Sequence, residues 1–438
     1  NRLGVSVMSN LSDLLPAGAS AKSITATDSG SGITSGKPVI LETAGTVTEI
    51  SGTDDALGTS AVFESAEINE TASTFDSDSN KVVVVYRDGG NSWYGTAAVG
   101  TVSGTSISYG TPVVFESANT EQLSTTFDSD SNKVVIAYKD NGNSSYGTAI
   151  VGTVSGTAIS FGTAVVFESA NTLYTSCAFD STANKVVIAY SDLGNSWYGT
   201  AIVGTVSGTA ISFGTAVVFA AADSTYTSSA YDSNADRTVI SYKDGGNSGY
   251  GTAIVGTVSG TAISFGTEVV YSTAITSNST VFDSNSNKIV IAYRHVGDSN
   301  YGTAIVGTVS GTSISFGTGV VFEEAESEKI AAIFDSNANK VVIAYQDEGN
   351  SGYGTVIAGT VSGTAISFET AVVFEAANSQ HISATFDSDS NVDVIAYKDT
   401  GNSDYGTGIV FSVGATNLTT SNFLGIADEA ISASASGV

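Results

Sequence analysis

The sequence is poor in the residues that most often build chemistry. Its 438 residues include one cysteine, three prolines, one methionine and two histidines. The lone Cys177 rules out an intrachain disulfide. It stands in Thr175-Ser176-Cys177-Ala178-Phe179, where neighbouring copies of the same motif carry Thr125 and Ser229, so it reads as a small core residue rather than a nucleophile. Three prolines exclude a proline-rich linker or a collagen-like chain. His295 and His381 occupy unlike positions, and no zinc spacing, Gly-x-Ser-x-Gly elbow or phosphate loop is present. Positive charge is scarce, with 15 Lys and Arg against 43 Asp and Glu, a net charge of −28. A field of that sign argues against nucleic acid and anionic membrane surfaces as partners. No run of 18 apolar residues is found, so no membrane insertion is expected. The chain begins at Asn1 with no charged stretch ahead of an apolar run, so a signal peptide is not expected in it.

What is abundant is glycine, 48 residues, in a chain that is 41% hydrophobic and only 13% charged. With many Ser, Thr and Val, this composition predicts short strands joined by tight turns. The length alone suggests two or three domains, but an internal repeat overrides that count. Phe-Asp-Ser, once Tyr-Asp-Ser, recurs at Phe75, Phe127, Phe179, Tyr231, Phe282, Phe334 and Phe386. The period is about 52 residues. One copy shows four strands: Ser176–Phe179, Lys185–Tyr190, Tyr198–Val206, and Ala210–Phe219 with a glycine break at Gly214. No segment has helical periodicity.

A four-stranded unit cannot bury both of its faces alone. Stacking copies face to face and closing the ring does so, which predicts an all-β, seven-bladed β-propeller. The last copy, from Tyr405 to Phe411, lacks its fourth strand. The match is Leu57-Gly58-Thr59-Ser60-Ala61-Val62-Phe63-Glu64 near the other end. An N-terminal strand is therefore expected to close the ring and remove its open edges. The resulting organisation is an N-terminal arm at 1–56, the propeller at 57–413 and a C-terminal extension at 414–438.

Two loops recur and carry the polar chemistry. The first, Asp-Ser-Asp-Ser-Asn, places Asp76, Asp78 and Asn80, then Asp128, Asp130 and Asn132, then Asp387, Asp389 and Asn391 at alternate positions. Such spacing starts calcium loops. Yet no glycine follows at the sixth position and no acid at the twelfth, so a backbone-bonded turn is expected first. No cofactor is required, and incomplete calcium sites are the alternative. The second loop is Asp-x-Gly-Asn-Ser-x-Tyr-Gly-Thr. It brings Asp88, Asn91, Trp93 and Tyr94 together, with Asp140 and Asn143, Asp192, Asn195, Trp197 and Tyr198, and Asp244 and Asn247 in the next copies. The fifth copy departs, with His295-Val296-Gly297-Asp298-Ser299-Asn300-Tyr301. Trp93 and Trp197 are the two tryptophans of the chain. An aromatic face beside Asp and Asn suits a sugar, and equivalent loops on one rim would add avidity. The competing role for these residues is to pin the loop.

Catalysis has little support. A glycosidase needs carboxylates distinct from the repeat background, and the unique acids Glu348 and Asp393 read as surface drift. The four arginines, Arg2, Arg87, Arg237 and Arg294, do not form a cluster in sequence.

The repeat unit, Phe-Asp-Ser-x-x-Asn-Lys-Val-Val-Ile-Ala-Tyr-x-Asp-x-Gly-Asn-Ser-x-Tyr-Gly-Thr-Ala-Ile-Val-Gly-Thr-Val-Ser-Gly-Thr, resembles repeats in virion and tail-fibre proteins of marine tailed bacteriophages. The flanks Ser35-Gly36-Lys37-Pro38-Val39-Ile40-Leu41 and Asn422-Phe423-Leu424-Gly425-Ile426 are similar to segments beside such repeats. The resemblance implies an extracellular, virion-borne appendage that works with other virion proteins, touches a host-surface glycan or receptor, and is a homo-oligomer, often a trimer. It supplies no catalytic residues. A bacterial cell-surface or secreted lectin or adhesin, and a purely structural decoration or spacer protein, are the two other readings of the same sequence.

Overall fold

The structure is a computed structural model that describes residues 26–27, 38–41, 47–49, 54–414, 423–426 and 436–437. Contacts divide the chain into two units, the ring Asp55–Val413 and a second unit drawn from both ends, Asn1–Asp54 and Gly414–Val438. In the second unit, strand Pro38–Leu41 pairs with Val47–Glu49 and with Phe423–Ile426, and Ala26–Thr27 pairs with Ser436–Gly437. The other flanking residues lie outside the described set. Among the described residues no helix is long and apolar enough to cross a membrane.

The ring contains 28 antiparallel strands that close on themselves. They group into seven blades of four strands, here A to D from the inside outwards. In blade 3, strand B is Lys185–Asp192 and strand C is Tyr198–Ser207. Strand D is Ala210–Phe213 continued by the first half of Val217–Asp232. The second half of Val217–Asp232 is strand A of blade 4. The sequence suggested separate strands here. Instead a single 16-residue strand serves two blades, as in Val113–Asp128 and Val165–Asp180. A register shift in its middle marks where it turns from the outer edge of one blade to the inner edge of the next.

Strands B and C are apolar without alternation because both of their faces are covered. Val83, Val85, Ala97 and Val99 of blade 1 pack on Val134, Ile136, Tyr138 and Ile150 of blade 2, and the same arrangement recurs around the ring. Each fully buried Val or Ile contributes about 1.5–3 kcal/mol. A Tyr–Glu bond spans most junctions: Tyr138 Oη donates to Glu116 Oε2 at 3.0 Å and Tyr190 Oη to Glu168 Oε2 at 3.1 Å. The inner edges are tied as well. The Cys177 N–H donates to Ser124 Oγ, Ser229 N–H to Ser176 Oγ, Thr280 N–H to Ser228 Oγ and Ala332 N–H to Ser279 Oγ, each at 2.9 Å. Strand edges that would otherwise be open are thus satisfied across blades.

Closure follows the expected route. Leu57 pairs with Phe411, and Ala61 to Glu67 pair with Gly408 to Tyr405, so the N-terminal segment is strand D of blade 7. The closure also explains one break in the repeat. A Cβ on Gly162 would lie 1.9 Å from the Thr209 carbonyl oxygen in the C–D turn of the next blade. The matching position of blade 6 is Glu369, and blade 7, having no C–D turn, leaves room for it.

One sequence expectation is overturned. Asp393 is not surface drift: it is fully buried, 0% exposed, on strand B of blade 7. It pairs with Phe386 and Phe411 where other blades carry Val82, Val134 or Val341. Burial, together with Asp335 and Asp55, holds its carboxyl well above the ordinary range.

Candidate functional site

The A–B turns and C–D turns lie on one face of the ring. The B–C loops and the D-to-A crossovers lie on the other, here called the crossover face. This follows from strand direction: strand A runs from the crossover face to the A–B turn, B runs back, and C runs out again.

On the turn face, Asp76 is 3% exposed, and its Oδ1 accepts from the N–H groups of Asp78 and Ser79, both at 3.0 Å. Asp128 and Asp387 do the same in their own turns. Asn80, Asn132 and Asn391 close the turns with φ of 54°, 54° and 56°, a left-handed conformation that Asn tolerates. Asp78, Asp130 and Asp389 point into solvent. The Lys81 ammonium reaches the Asn80 carbonyl at 3.1 Å, and Lys133 reaches Asn132 likewise. An ammonium thus lies against two of the three turns, while the third has Val392 in the lysine's place. In all three the first aspartate is already bonded to backbone N–H groups, so these residues fit a turn better than a cation site. Among the described residues, no group of three or more His, Cys, Asp or Glu is arranged to hold a metal.

On the crossover face, the loop aspartates are nearly buried and two of them cap their loops, whereas the Oδ1 atoms of Asp88 and Asp192 are buried with no hydrogen-bond partner. Asp88, Asp140, Asp192 and Asp244 are 7–9% exposed. Asp140 Oδ1 accepts from Gly142 N–H and Asp244 Oδ1 from Gly246 N–H, both at 2.9 Å, capping a single 3₁₀ turn. Asn91, Asn143, Asn195 and Asn247 are exposed at the loop tips. Tyr94 and Tyr198 begin strand C and are half-buried. Each loop also clasps the next crossover: Thr120 N–H donates to the Trp93 carbonyl and Ser224 N–H to the Trp197 carbonyl.

The two tryptophans, equivalent in sequence, are not equivalent in space. The ring of Trp93 folds over its own loop, so that a Cβ on Gly89 would lie 2.9 Å from its Cη2. The Arg87 guanidinium sits 5.3 Å above the same ring. In blade 3 those positions are Leu193 and Ser191. Leucine occupies the space the ring would need, and the stacking cation is gone. Trp197 is consequently 41% exposed.

The sequence reading missed the feature at the centre of this face. Five residues before each Phe-Asp-Ser, the long strand turns its corner with φ between 43° and 58° at Glu70, Gln122, Tyr174, Tyr226, Ser277, Lys329 and His381. None is glycine. Left-handed backbone in ordinary residues costs about 1 kcal/mol or more and gathers at functional sites. These corners, one per blade, surround an axial cavity of about 320 Å³. The signal in the sequence was divergence: strands B and C barely vary between copies, whereas this position differs in almost every one.

The walls of the cavity are ordered. Tyr174 and Tyr226 stand with ring centroids 5.1 Å apart, and the Lys243 ammonium lies 5.9 Å from the Tyr226 ring. The Tyr174 N–H donates to Gln122 Oε1 at 2.6 Å. Glu70 accepts from the N–H groups of Gln122 and Leu123 and lies 3.5 Å from Arg87. Burial raises the Glu70 carboxyl, and Arg87 opposes the rise. His381 is pushed down to about 3 by burial and by Lys329, Lys398 and Arg87, so it is neutral at physiological pH.

No protein-family model matches the chain, and no curated protein matches it. Among solved structures, the chain is similar to BP39L lectin from Burkholderia pseudomallei, with TM-score 0.59 and 12% identity over 83% of this chain and 100% of that one. SapL1 lectin in complex with alpha methyl fucoside aligns with TM-score 0.44 and 15% identity over 71% and 97% of the two chains. A leech intramolecular trans-sialidase aligns with TM-score 0.46 and 9% identity over 80% and 68%. The chain is a closed β-propeller that shares its fold with a bacterial lectin.

Proposed function

We propose that this protein is a carbohydrate-binding propeller, a cell-surface or secreted lectin or adhesin, that meets its ligand on the crossover face. The observation that carries the reading is Trp197, an indole held 41% exposed at the tip of a B–C loop, two residues beyond the exposed Asn195. An apolar ring beside an amide is the combination that stacks on a sugar face and bonds its hydroxyls. The lectin fold of BP39L supports the same reading. Asn91, Asn143 and Asn247 repeat the polar half of the site, which suits a polysaccharide that touches several blades. Binding rather than catalysis is the role we assign to these loops, since Asp140 and Asp244 are committed to backbone N–H groups and the loop aspartates are nearly buried, at 7–9% exposed.

The test is a glycan array of surface polysaccharides with the single variants Trp197→Ala and Trp93→Ala. Binding by the wild type that falls at least tenfold in Trp197→Ala and persists in Trp93→Ala is expected. A folded wild-type ring that binds no glycan sinks the proposal. A virion appendage is the alternative setting, drawn from the resemblance of the repeat. There the protein would sediment with particles as an oligomer, whereas a lectin of the cell surface would fractionate with cells or medium.

A further inference from the structure

We propose that the axial cavity of the crossover face is a second, single-copy site that takes one neutral pyranose residue. The inference rests on the glycan reading and adds a different site to it.

Symmetry separates the two. Each B–C loop belongs to one blade, so a loop site can recur around the ring. A ligand on the axis touches one corner from every blade at once. Seven identical corners would make a featureless ring, but these corners differ. They divide the cavity into an aromatic arc, Tyr174 and Tyr226, and a polar remainder that includes Gln122, Ser277, Lys329 and His381. All hold left-handed backbone without glycine, which keeps side chains at the rim of the cavity where glycine would have removed them.

The chemistry of the wall selects the ligand. The tyrosine pair offers aromatic surface to the C–H face of a sugar ring. The Gln122 Oε1 is taken by the Tyr174 N–H, so the amide NH₂ is the end that remains for a hydroxyl. Ser277 and neutral His381 add a hydroxyl and an imidazole. Two of the cations near the wall have acidic partners: Glu70 lies beside Arg87, and the Lys329 ammonium lies 4.0 Å from Glu328. Lys243 stands over the Tyr226 ring instead, and the chain's net charge of −28 weighs against an anionic sugar. The volume of about 320 Å³ is at the small end of ligand sites, which suits one sugar residue rather than an oligosaccharide.

The experiment is calorimetric titration of the full chain with methyl α-glycosides of glucose, galactose, mannose and fucose, and with glucuronic acid as the anionic counterpart. Polysaccharide binding on the array is measured in parallel. The expected result is saturation by at least one neutral glycoside at one per ring. Binding should weaken at least tenfold in Tyr174→Ala and persist in Trp197→Ala. Ser277→Tyr guards against a folding defect: it fills the cavity at a corner where two blades already carry tyrosine, and it should also abolish binding. Several ligands per ring, preference for glucuronic acid, or loss in Trp197→Ala but not in Tyr174→Ala or Ser277→Tyr would overturn the axial site and leave the lectin reading standing. Absence of monosaccharide binding alongside retained polysaccharide binding would do the same. Absence of both would remove the glycan reading itself.

Discussion

Replacing Asp393 with valine should stabilise the ring, and more so as pH rises. Asp393 is fully buried at the junction of blades 6 and 7, and neither carboxyl oxygen has a hydrogen-bond partner. Valine is the residue at this register in blades 1, 2, 3 and 6. Its folded carboxyl is held above the ordinary value of 3.8. The folded state therefore keeps a proton that the unfolded chain has already released. Stability is undiminished by this group below the unfolded value, falls as pH rises through the window between the two values, and stays reduced above it. Each unit of that window is worth about 1.4 kcal/mol. Exchanging a buried carboxyl without a hydrogen-bond partner for apolar packing of similar volume removes a penalty of about 1–3 kcal/mol. In a domain of 150–250 residues 1 kcal/mol moves Tm by about 2–4 °C, and a larger ring moves less. The expected gain at neutral pH is therefore a few degrees, shrinking towards pH 4. The assay is thermal melting by circular dichroism at pH 4 to 8 for wild type, Asp393→Val and Asp393→Asn. Asparagine should flatten the pH dependence with little gain, because it cannot ionise but keeps a buried polar group. A destabilised Asp393→Val, or a difference from wild type that does not grow with pH, refutes the reasoning and implies a partner that satisfies the carboxylate.

Other outcomes follow from the same physics. Gly162→Ala drives a Cβ to within 1.9 Å of the Thr209 carbonyl and should cost about 1–3 kcal/mol in thermal or urea unfolding. Glu369→Ala at the matching position of blade 6 should stay within about 1 kcal/mol of wild type, because only the partly exposed Lys340 pair is lost. Lys329→Gly should raise stability by about 1 kcal/mol by relieving left-handed strain at φ 50°, read as a higher Tm. Chelation with EDTA should leave Tm unchanged. A calcium-dependent rise would show that Asp76, Asp128 and Asp387 bind a cation after all.

Much of the fold was legible because its causes are periodic. The recurrent Phe-Asp-Ser fixed the repeat, the two-sided apolar run Lys185–Tyr190 announced a strand covered on both faces, and the unmatched end at Phe411 pointed to closure by Leu57–Glu64. The join between strands D and A was not legible. A chain that turns a corner with left-handed Tyr174 or Lys329 leaves no glycine or proline to mark it, so the segment read as two strands. Asp393 looked like drift because one acid in an apolar run gives no sign of which way it faces. The candidate site was half legible. Composition brought Asp, Asn and Trp to the same loop, but whether an indole stands out or lies down depends on Gly89 or Leu193 four residues away. The axial cavity was invisible for the opposite reason: pattern recognition attends to what repeats, and this site is made from the residues that do not.

The most direct test of the central claim uses Trp93→Phe, which leaves Trp197 as the sole tryptophan of the chain. Its fluorescence is followed while a polysaccharide that binds on the array is titrated. If the crossover face is the binding face, emission shifts to the blue and acrylamide quenching falls, with a midpoint that matches binding measured independently. Full polysaccharide binding with unchanged emission and unchanged quenching would place the contact elsewhere and contradict the account.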